Sequence, residues 1–384
     1  MLTLANNCGK LRLCIQVLAL IGGFGFFWTA PAAWADSSGI LDAQVGGLND
    51  APDKPETGFR NGSLVFAPIP FSNPTVGSGL VLGAGYLFNI DPGSKPSVIG
   101  VAALRSDNGS QAYGFSVNLA FNNNRWLLKS MFAEADVKYD LFTSVGTLPI
   151  SQDGMFARLS LAYGVTPELS FGAMLRYLDT EITPDIPGLP PIPPPFNKFL
   201  KVEIASVGLI ADWDRRDDTF YPTKGSYLQF EAFRGISLDG LVPDYSKANV
   251  SYAHYFALGD AGVLATRATV CSASQQAPFF DQCSLGASDS FRGFPSTQFL
   301  DLRLASAQVE YRHKISKRIG LVAFGGVGLV GPTFQDLDVG GTHGAAGVGV
   351  RYRVSKKFPL DFSVDVAHND LGDDLLYIYV GQRF

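Results

Sequence analysis

The stretch Leu375-Leu-Tyr-Ile-Tyr-Val-Gly-Gln-Arg-Phe384 has a two-residue alternation and ends on an aromatic residue. In an extended strand, one side carries Leu376, Ile378, Val380 and Phe384, and the other carries Tyr377, Tyr379, Gly381 and Arg383. This pattern is typical of a transmembrane β-strand, with one face toward lipid and one toward water, although strands of soluble sandwiches also alternate. The rest of the chain has to distinguish a transmembrane barrel from a soluble sandwich.

The amino-terminal region predicts export. Lys10 and Arg12 precede an apolar run over 17–27, and Ala33-Trp34-Ala35 provides small residues where a signal peptidase cleaves. We therefore expect a signal peptide over 1–35, a short flexible periplasmic tail over 36–60 and a barrel over 61–384. The apolar run is shorter than the roughly 20 residues of a membrane helix, so insertion has to use strands.

Composition and strand spacing favour a transmembrane barrel. Glycine (42) and phenylalanine (29) are abundant, and acidic residues (35) outnumber basic ones (30), which argues against nucleic acid as a partner. About sixteen alternating segments follow residue 61. They span 62–70, 77–89, 97–106, 110–121, 125–140, 153–163, 168–180, 200–213, 225–235, 245–257, 262–272, 301–313, 318–330, 343–354, 360–368 and 375–384.

The connections alternate between short and long, as do the periplasmic turns and outer loops of such barrels. Those after even-numbered segments are short, as in Asn122-Asn-Asn124 and Val165-Thr-Pro167, while those after segments 7, 11 and 13 are long. The seven prolines within 183–198 predict an exposed loop without ladder pairing. An even strand number places both ends of the barrel on the periplasmic side.

Two motifs carry a family resemblance: Asp214-Arg-Arg-Asp-Asp-Thr-Phe-Tyr-Pro-Thr-Lys-Gly225 before segment 9, and Ser290-Phe-Arg-Gly-Phe294 after segment 11. With this order and spacing, the chain resembles the bacterial surface antigen family, the BamA/TamA superfamily of outer-membrane assembly barrels. The resemblance implies an all-β, antiparallel barrel of sixteen strands in the bacterial outer membrane. It also implies that the loop after strand 11 folds into the lumen.

The first motif is interpreted as a structural turn. Pro222 fixes φ and Gly225 permits positive φ, so the chain re-enters the sheet through a tight turn. The charged residues Asp214, Arg216 and Asp217 suit the hydrated rim of a barrel.

The second motif comprises Phe291, Arg292, Gly293 and Phe294, and its arginine is the candidate functional residue. In the family, the loop arginine pairs with an aspartate on strand 13, but Gly326 stands at that position here. Alternation offers other lumen carboxylates, namely Glu310, Glu231, Asp361 and Asp365, with Arg351 and Arg353 competing for the last two. We favour Glu310; the alternative is a solvated arginine. A wet lumen would make the pair weaker than a dry one.

Cys271 and Cys283 flank the start of the same loop and predict a disulfide in an exported chain. The four histidines, His254, His313, His343 and His368, have no metal-binding spacing, and we expect neither a metal nor a cofactor.

Three functional interpretations remain open from the sequence. A barrel without the periplasmic POTRA domains of the family could support insertion or translocation of proteins or lipids through a weak seam between the first and last strands. Pro68 and Pro70 in the first segment are compatible with thin pairing there, and equally with a strand end near the first loop. Alternatively the chain is a passive pore or structural barrel, or a barrel hydrolase, for which there is no convincing Ser/His/acid set. We expect a non-enzyme whose partners are outer-membrane lipid and unfolded outer-membrane proteins or periplasmic factors.

Overall fold

The computed structural model describes residues 58–59, 62–143, 146–186, 188, 201–219, 221–286, 291–353 and 361–384. The predicted signal peptide and nearly all of the predicted tail lie outside these residues. So do most of the proline-rich segment 183–198 and Ser290 of the second motif. Thr183 and Pro184, at the start of that segment, pair with Ser151 and Ile150, contrary to the expected absence of ladder pairing.

Sixteen antiparallel strands form the barrel, which confirms the predicted fold class. Two further short strands, β12 and β13, pair with each other within the loop after β11. The bounds are β1 Ser63–Asn73, β2 Gly77–Phe88, β3 Ser97–Ser106, β4 Gln111–Phe121, β5 Trp126–Thr143, β6 Gly146–Gly164, β7 Leu169–Pro184, β8 Lys201–Asp214, β9 Gly225–Ser237, β10 Tyr245–Leu258, β11 Gly262–Ala273, β12 Cys283–Leu285, β13 Phe299–Asp301, β14 Arg303–Lys314, β15 Ile319–Gly331, β16 His343–Arg353, β17 Asp361–Asn369 and β18 Asp374–Val380. In the described residues no helix is long and apolar enough to cross a membrane.

Alternation along each strand separates an apolar outer face from a mixed inner face. On β14, for example, Val309 is 43% exposed on the outside, whereas Glu310 is fully buried inside. Large exposed apolar side chains such as Leu209 and Val348 recur around the outer wall. An exposed apolar surface that encircles a closed barrel is the surface that lipid covers in a transmembrane barrel.

The hairpin of β5 and β6 is longer than the sequence predicted. We expected these segments to end at 140 and begin at 153, but the strands pair continuously from Trp126 with Tyr163 to Thr143 with Gly146. The upper part contains Asp140, Pro149 and Asp153, which are common in loops and masked the alternation. Backbone pairing extends the hairpin nonetheless.

The seam between β1 and β18 is thinly paired. The register joins β1 to β18 only through Ser72 and Ile378, whereas β2 pairs with β1 along its whole length, from Ser63 to Asn73. The Ser72 hydroxyl adds a hydrogen bond to the backbone oxygen of Leu376, at 3.2 Å. Among the described strands, this is the weakest junction of the barrel.

Candidate functional site in the barrel lumen

The loop between β11 and β14 enters the lumen and is fixed at its base by a disulfide. Cys271 at the end of β11 is bonded to Cys283 of β12, with their Cα atoms 5.7 Å apart. Both cysteines are buried. The predicted pairing and the inward path of the loop are therefore both present in the structure.

Arg292 is completely buried and makes ion pairs with two strands. Its Nη2 donates to Glu310 on β14 at 2.5 Å, and its Nη1 donates to Asp365 on β17 at 2.6 Å. The guanidinium also lies 3.6 Å from the ring centroid of Phe324 on β15. A planar, forked cation between two carboxylates and above an aromatic ring is the arrangement that arginine provides and lysine does not.

Two further arginines complete the network. Arg312 donates a hydrogen bond to the other carboxylate oxygen of Glu310 at 2.6 Å, and Arg351 donates a hydrogen bond to Asp365. Arg351 also lies 3.7 Å from Glu310, so Glu310 has three guanidinium partners and Asp365 has two, which offsets the desolvation of this buried cluster. Arg312 also donates to the backbone oxygen of Phe384, at 3.3 Å.

Two glycines near this network have no space for a side chain. A Cβ at Gly326 on β15 would collide with the backbone of Ala307 and Gln308, so an aspartate could not be accommodated there without a shift. A Cβ at Gly349 on β16 would overlap the Asp365 carboxylate. The carboxylates that meet Arg292 therefore come from β14 and β17 rather than from β15.

The other predicted partners of Arg292 bind elsewhere. Glu231 pairs with Arg158 at 2.6 Å, and Asp361 pairs with Arg353 at 2.7 Å. The structure therefore brings together Arg292, the favoured Glu310 and Asp365, but neither Glu231 nor Asp361.

The residues beside Arg292 lock the loop by close packing. Gly293 has φ of +130°, and a Cβ there would overlap the side chain of Ala345 on β16. Its N–H donates to the Tyr377 hydroxyl at 2.8 Å. Phe291 and Phe294 are buried and stacked, with ring centroids 5.9 Å apart.

A second anchor, which the sequence did not reveal, holds the opposite side of the loop. Asp281, just before β12, is fully buried and forms hydrogen bonds with Arg176 on β7 and Tyr245 on β10. Burial raises the pKa of Asp281, but the charge of Arg176 and its hydrogen bonds outweigh this and hold the pKa below its ordinary value. In the closed strand order, β7 stands across the lumen from β17.

Arg176 did leave a signal in the sequence. It is the single charged residue between Met174 and Leu178 on the inward face of β7, and all three are buried. A lone charge on an otherwise apolar inner face requires a partner, and the loop is the segment that could supply one.

The periplasmic turn motif is held by its own side chains. Arg216 donates to Asp214 at 2.8 Å and stacks on Tyr227, while Asp217 accepts bonds from the N–H groups of Thr223 and Lys224. Burial raises the pKa of Asp217, but these bonds and that from the Thr223 hydroxyl lower it below its ordinary value. The motif acts here as a structural element.

Pro222 and Gly225 complete this turn. Gly225 has φ of +97°, and the Pro222 carbonyl accepts a 3.5 Å bond from Arg312. The turn therefore touches the lumen network.

The last residues leave the sheet, contrary to the predicted position of Phe384 on the lipid-facing side. β18 ends at Val380, Gly381 has φ of +86°, and the chain turns inward. Phe384 is 4% exposed and packs against Ala253 and Tyr255 of β10 and Ala265 of β11. Alternation assumed an extended strand to the end, and the positive φ at Gly381 breaks that assumption.

The histidines do not form a metal site. His343 stacks on Phe299 with centroids 3.6 Å apart, and His254 lies beside Phe256. Across the described part of the chain, no group of three or more His, Cys, Asp or Glu residues could hold a metal ion.

Comparison with known proteins identifies relatives of this fold. Residues 96–384 match the model of the Omp85 superfamily domain. Similar solved structures include BamA from Haemophilus ducreyi lacking POTRA domains 1-3 (TM-score 0.55, 15% identity) and CdiB from Escherichia coli (TM-score 0.57, 15% identity). The matches cover 83% and 87% of this chain, and 69% and 63% of those chains. No curated protein sequence matches.

Proposed function

Because the chain belongs to the Omp85 superfamily, we propose that this outer-membrane barrel supports insertion or translocation of proteins or lipids at the β1–β18 seam. It does so without catalysing a covalent reaction. Its partners in this proposal are outer-membrane lipid and unfolded outer-membrane proteins or periplasmic factors. Since the chain spans 63% to 69% of the structures described above, the activity of those larger proteins reaches it only as a proposal.

The observation that carries the proposal is the pairing of Ser72 alone with β18. In hydrocarbon an unpaired backbone N–H or C=O costs several kcal/mol, so a seam with few bonds is the place where another strand or a lipid can be accommodated. Pro68 and Pro70 lie on the part of β1 that has no register partner on β18, and neither has an N–H to leave unpaired.

The lumen loop supports the same proposal. Its two anchors tie β7 and β10 to β14 and β17, and further hydrogen bonds connect it to Tyr377 of β18 and to Thr75 in the β1–β2 turn. A barrel whose opposite walls are joined through the loop, and whose β1–β18 junction has few hydrogen bonds, can open at that junction without losing its fold.

A reversible lock at the seam tests the proposal. The variant Ser72→Cys with Ile378→Cys places two thiols on paired residues of β1 and β18. In proteoliposomes, the oxidised variant should lose its ability to accelerate insertion of an unfolded barrel protein, and reduction should restore it. Phe66→Cys with Ala84→Cys, on the fully paired β1–β2 ladder, is the matched control and should stay active in both states.

The native Cys271–Cys283 disulfide is present in both variants, so the control also reports the effect of the reductant. Equal acceleration by the oxidised seam variant and the control would refute the seam proposal. Conductance without any acceleration in the unlocked protein would indicate a passive pore.

A further inference from the structure

The outer wall of the barrel contains a groove of about 590 Å³ across β8, β9, β10, β11 and β14. Alternation assigns it to the outside, since Phe233 and Tyr245 point into the lumen toward Arg176, and their neighbours in sequence point outward. The groove is therefore separate from the lumen network and the seam.

The groove exists because small side chains line up across neighbouring strands. One row of paired residues runs from Leu209 through Ala232, Ala248 and Ser272 to Arg303. In the adjacent row, Arg234 is paired with Ser246. Alanine and serine form a shallow floor between the larger Leu209 on one side and Arg303 on the other, which is a shape that suits an acyl chain.

Two arginines mark the extracellular edge of this floor. Arg303 uses Nη1 for the carbonyls of Ala273 and Leu302, and its guanidinium lies 5.5 Å from the ring centroid of Phe334. The described residues offer its other N–H groups no hydrogen-bond acceptor, so these groups can donate to a phosphate. Arg234 pairs with Asp244 at 3.0 Å, but the two side chains are 64% and 40% exposed, so the pair is weak and open to an additional anion.

The depth of the arginines fits a lipid headgroup. β14 has 12 residues, so Arg303 at its extracellular end lies roughly 27 Å above the periplasmic end, near the top of the roughly 25 Å apolar band of such barrels. Val250 and Val270 continue the outer wall toward the periplasm. The strand carrying Arg234 and the strand carrying Arg303 are three spacings apart, roughly 14 Å.

We propose that this groove binds a phosphorylated glycolipid of the outer leaflet, diphosphoryl lipid A, with one phosphate at Arg303, one at Arg234 and an acyl chain on the Ala/Ser floor. Separated cations fit a headgroup with a phosphate at each end better than a single phosphate. Charge-assisted hydrogen bonds from the two guanidinium groups recognise the phosphates. The small side chains of the floor leave space for the acyl chain. This inference is independent of the seam.

Native mass spectrometry of the purified barrel with added lipid tests the proposal. The probes are diphosphoryl lipid A, monophosphoryl lipid A and phosphatidylglycerol. We expect wild type to retain the diphosphoryl form best, and Arg303→Ala and Arg234→Ala each to weaken retention about tenfold. Arg105→Ala, which removes an exposed arginine at the extracellular end of β3, is the matched control and should change nothing.

A second variant keeps both arginines and fills the space for the acyl chain. Ala248→Trp fills the floor, and it should weaken retention of lipid A to a similar extent while the barrel keeps its heat-modifiable mobility on a gel. Equal loss in Arg105→Ala would show a general charge effect and overturn the site. Equal retention of phosphatidylglycerol, or unchanged retention in Ala248→Trp, would also overturn it.

Discussion

Replacement of Arg292 by alanine should release the tip of the lumen loop while leaving the barrel closed. The side chain is fully buried, with ion pairs of 2.5 Å to Glu310 and 2.6 Å to Asp365. Removing one member of a buried ion pair costs about 3–5 kcal/mol when the partner stays charged. Arg312 and Arg351 remain on those carboxylates, so the lower part of this range applies to the pairs.

Loss of the stacking on Phe324 adds to this figure, since a desolvated cation–π contact contributes about 2 kcal/mol. The total, about 5 kcal/mol, exceeds what the sequence suggested, because a wet lumen was expected and the structure buries the guanidinium completely. The strand ladders do not involve Arg292, so the barrel itself should persist.

Hydrogen exchange and limited proteolysis measure the effect. In Arg292→Ala, residues 291–299 should lose protection, while heat-modifiable mobility is retained. Arg292→Lys keeps the charge without the fork and should be intermediate. Combining Arg292→Ala with Glu310→Gln should give less than the sum of the single effects. Unchanged loop protection in Arg292→Ala would refute the assignment of this arginine as the anchor.

Three other predictions concern the remaining contacts. Phe384→Ala should lower barrel stability by about 3–5 kcal/mol, read as a lower temperature for loss of the heat-modifiable band; no change would mean that the buried ring contributes little. Asp281→Asn should leave Arg176 without its charged partner and expose residues 274–286 to protease, and intact protection would contradict the second anchor. The lowered pKa of Asp217 means that its stabilisation of the turn is present above its ordinary pKa and lost as pH falls below about 4. The protection factor of the Thr223 amide, which is its exchange rate relative to the intrinsic rate at the same pH, should fall with that loss, and a protection factor that does not change with pH would contradict it.

The barrel was predictable from sequence because lipid and lumen impose opposite demands on successive residues, which makes the period of two visible along each strand. The residues that face Arg292 were partly predictable for the same reason, since alternation assigned Glu310 and Asp365 to the inner face. Alternation gives the face but not the distance across the lumen, so it could not separate these two carboxylates from Glu231 and Asp361.

The positions of the lumen loop and of the last residues do not follow from the two-residue alternation of the strands. Asp281 lies in an irregular segment, and its bond to Arg176 joins residues that are distant in sequence. Phe384 continued the alternation of β18 in sequence, yet Gly381 turns the chain inward. Local pattern carries no information about such long-range packing.

The lumen loop also contacts both edges of the seam between β1 and β18. β18 is bound to the loop tip through the hydroxyls of Tyr377 and Tyr379, the first with Gly293 and the second with Arg292. On the β1 side, the loop makes two hydrogen bonds to the β1–β2 turn, both between Ser296 and Thr75, at 3.0 and 3.1 Å. The loop thus bridges the seam from inside the lumen, with hydrogen bonds to both of its edges. Separation of β1 from β18 should therefore require the loop to move or to release one of the two edges.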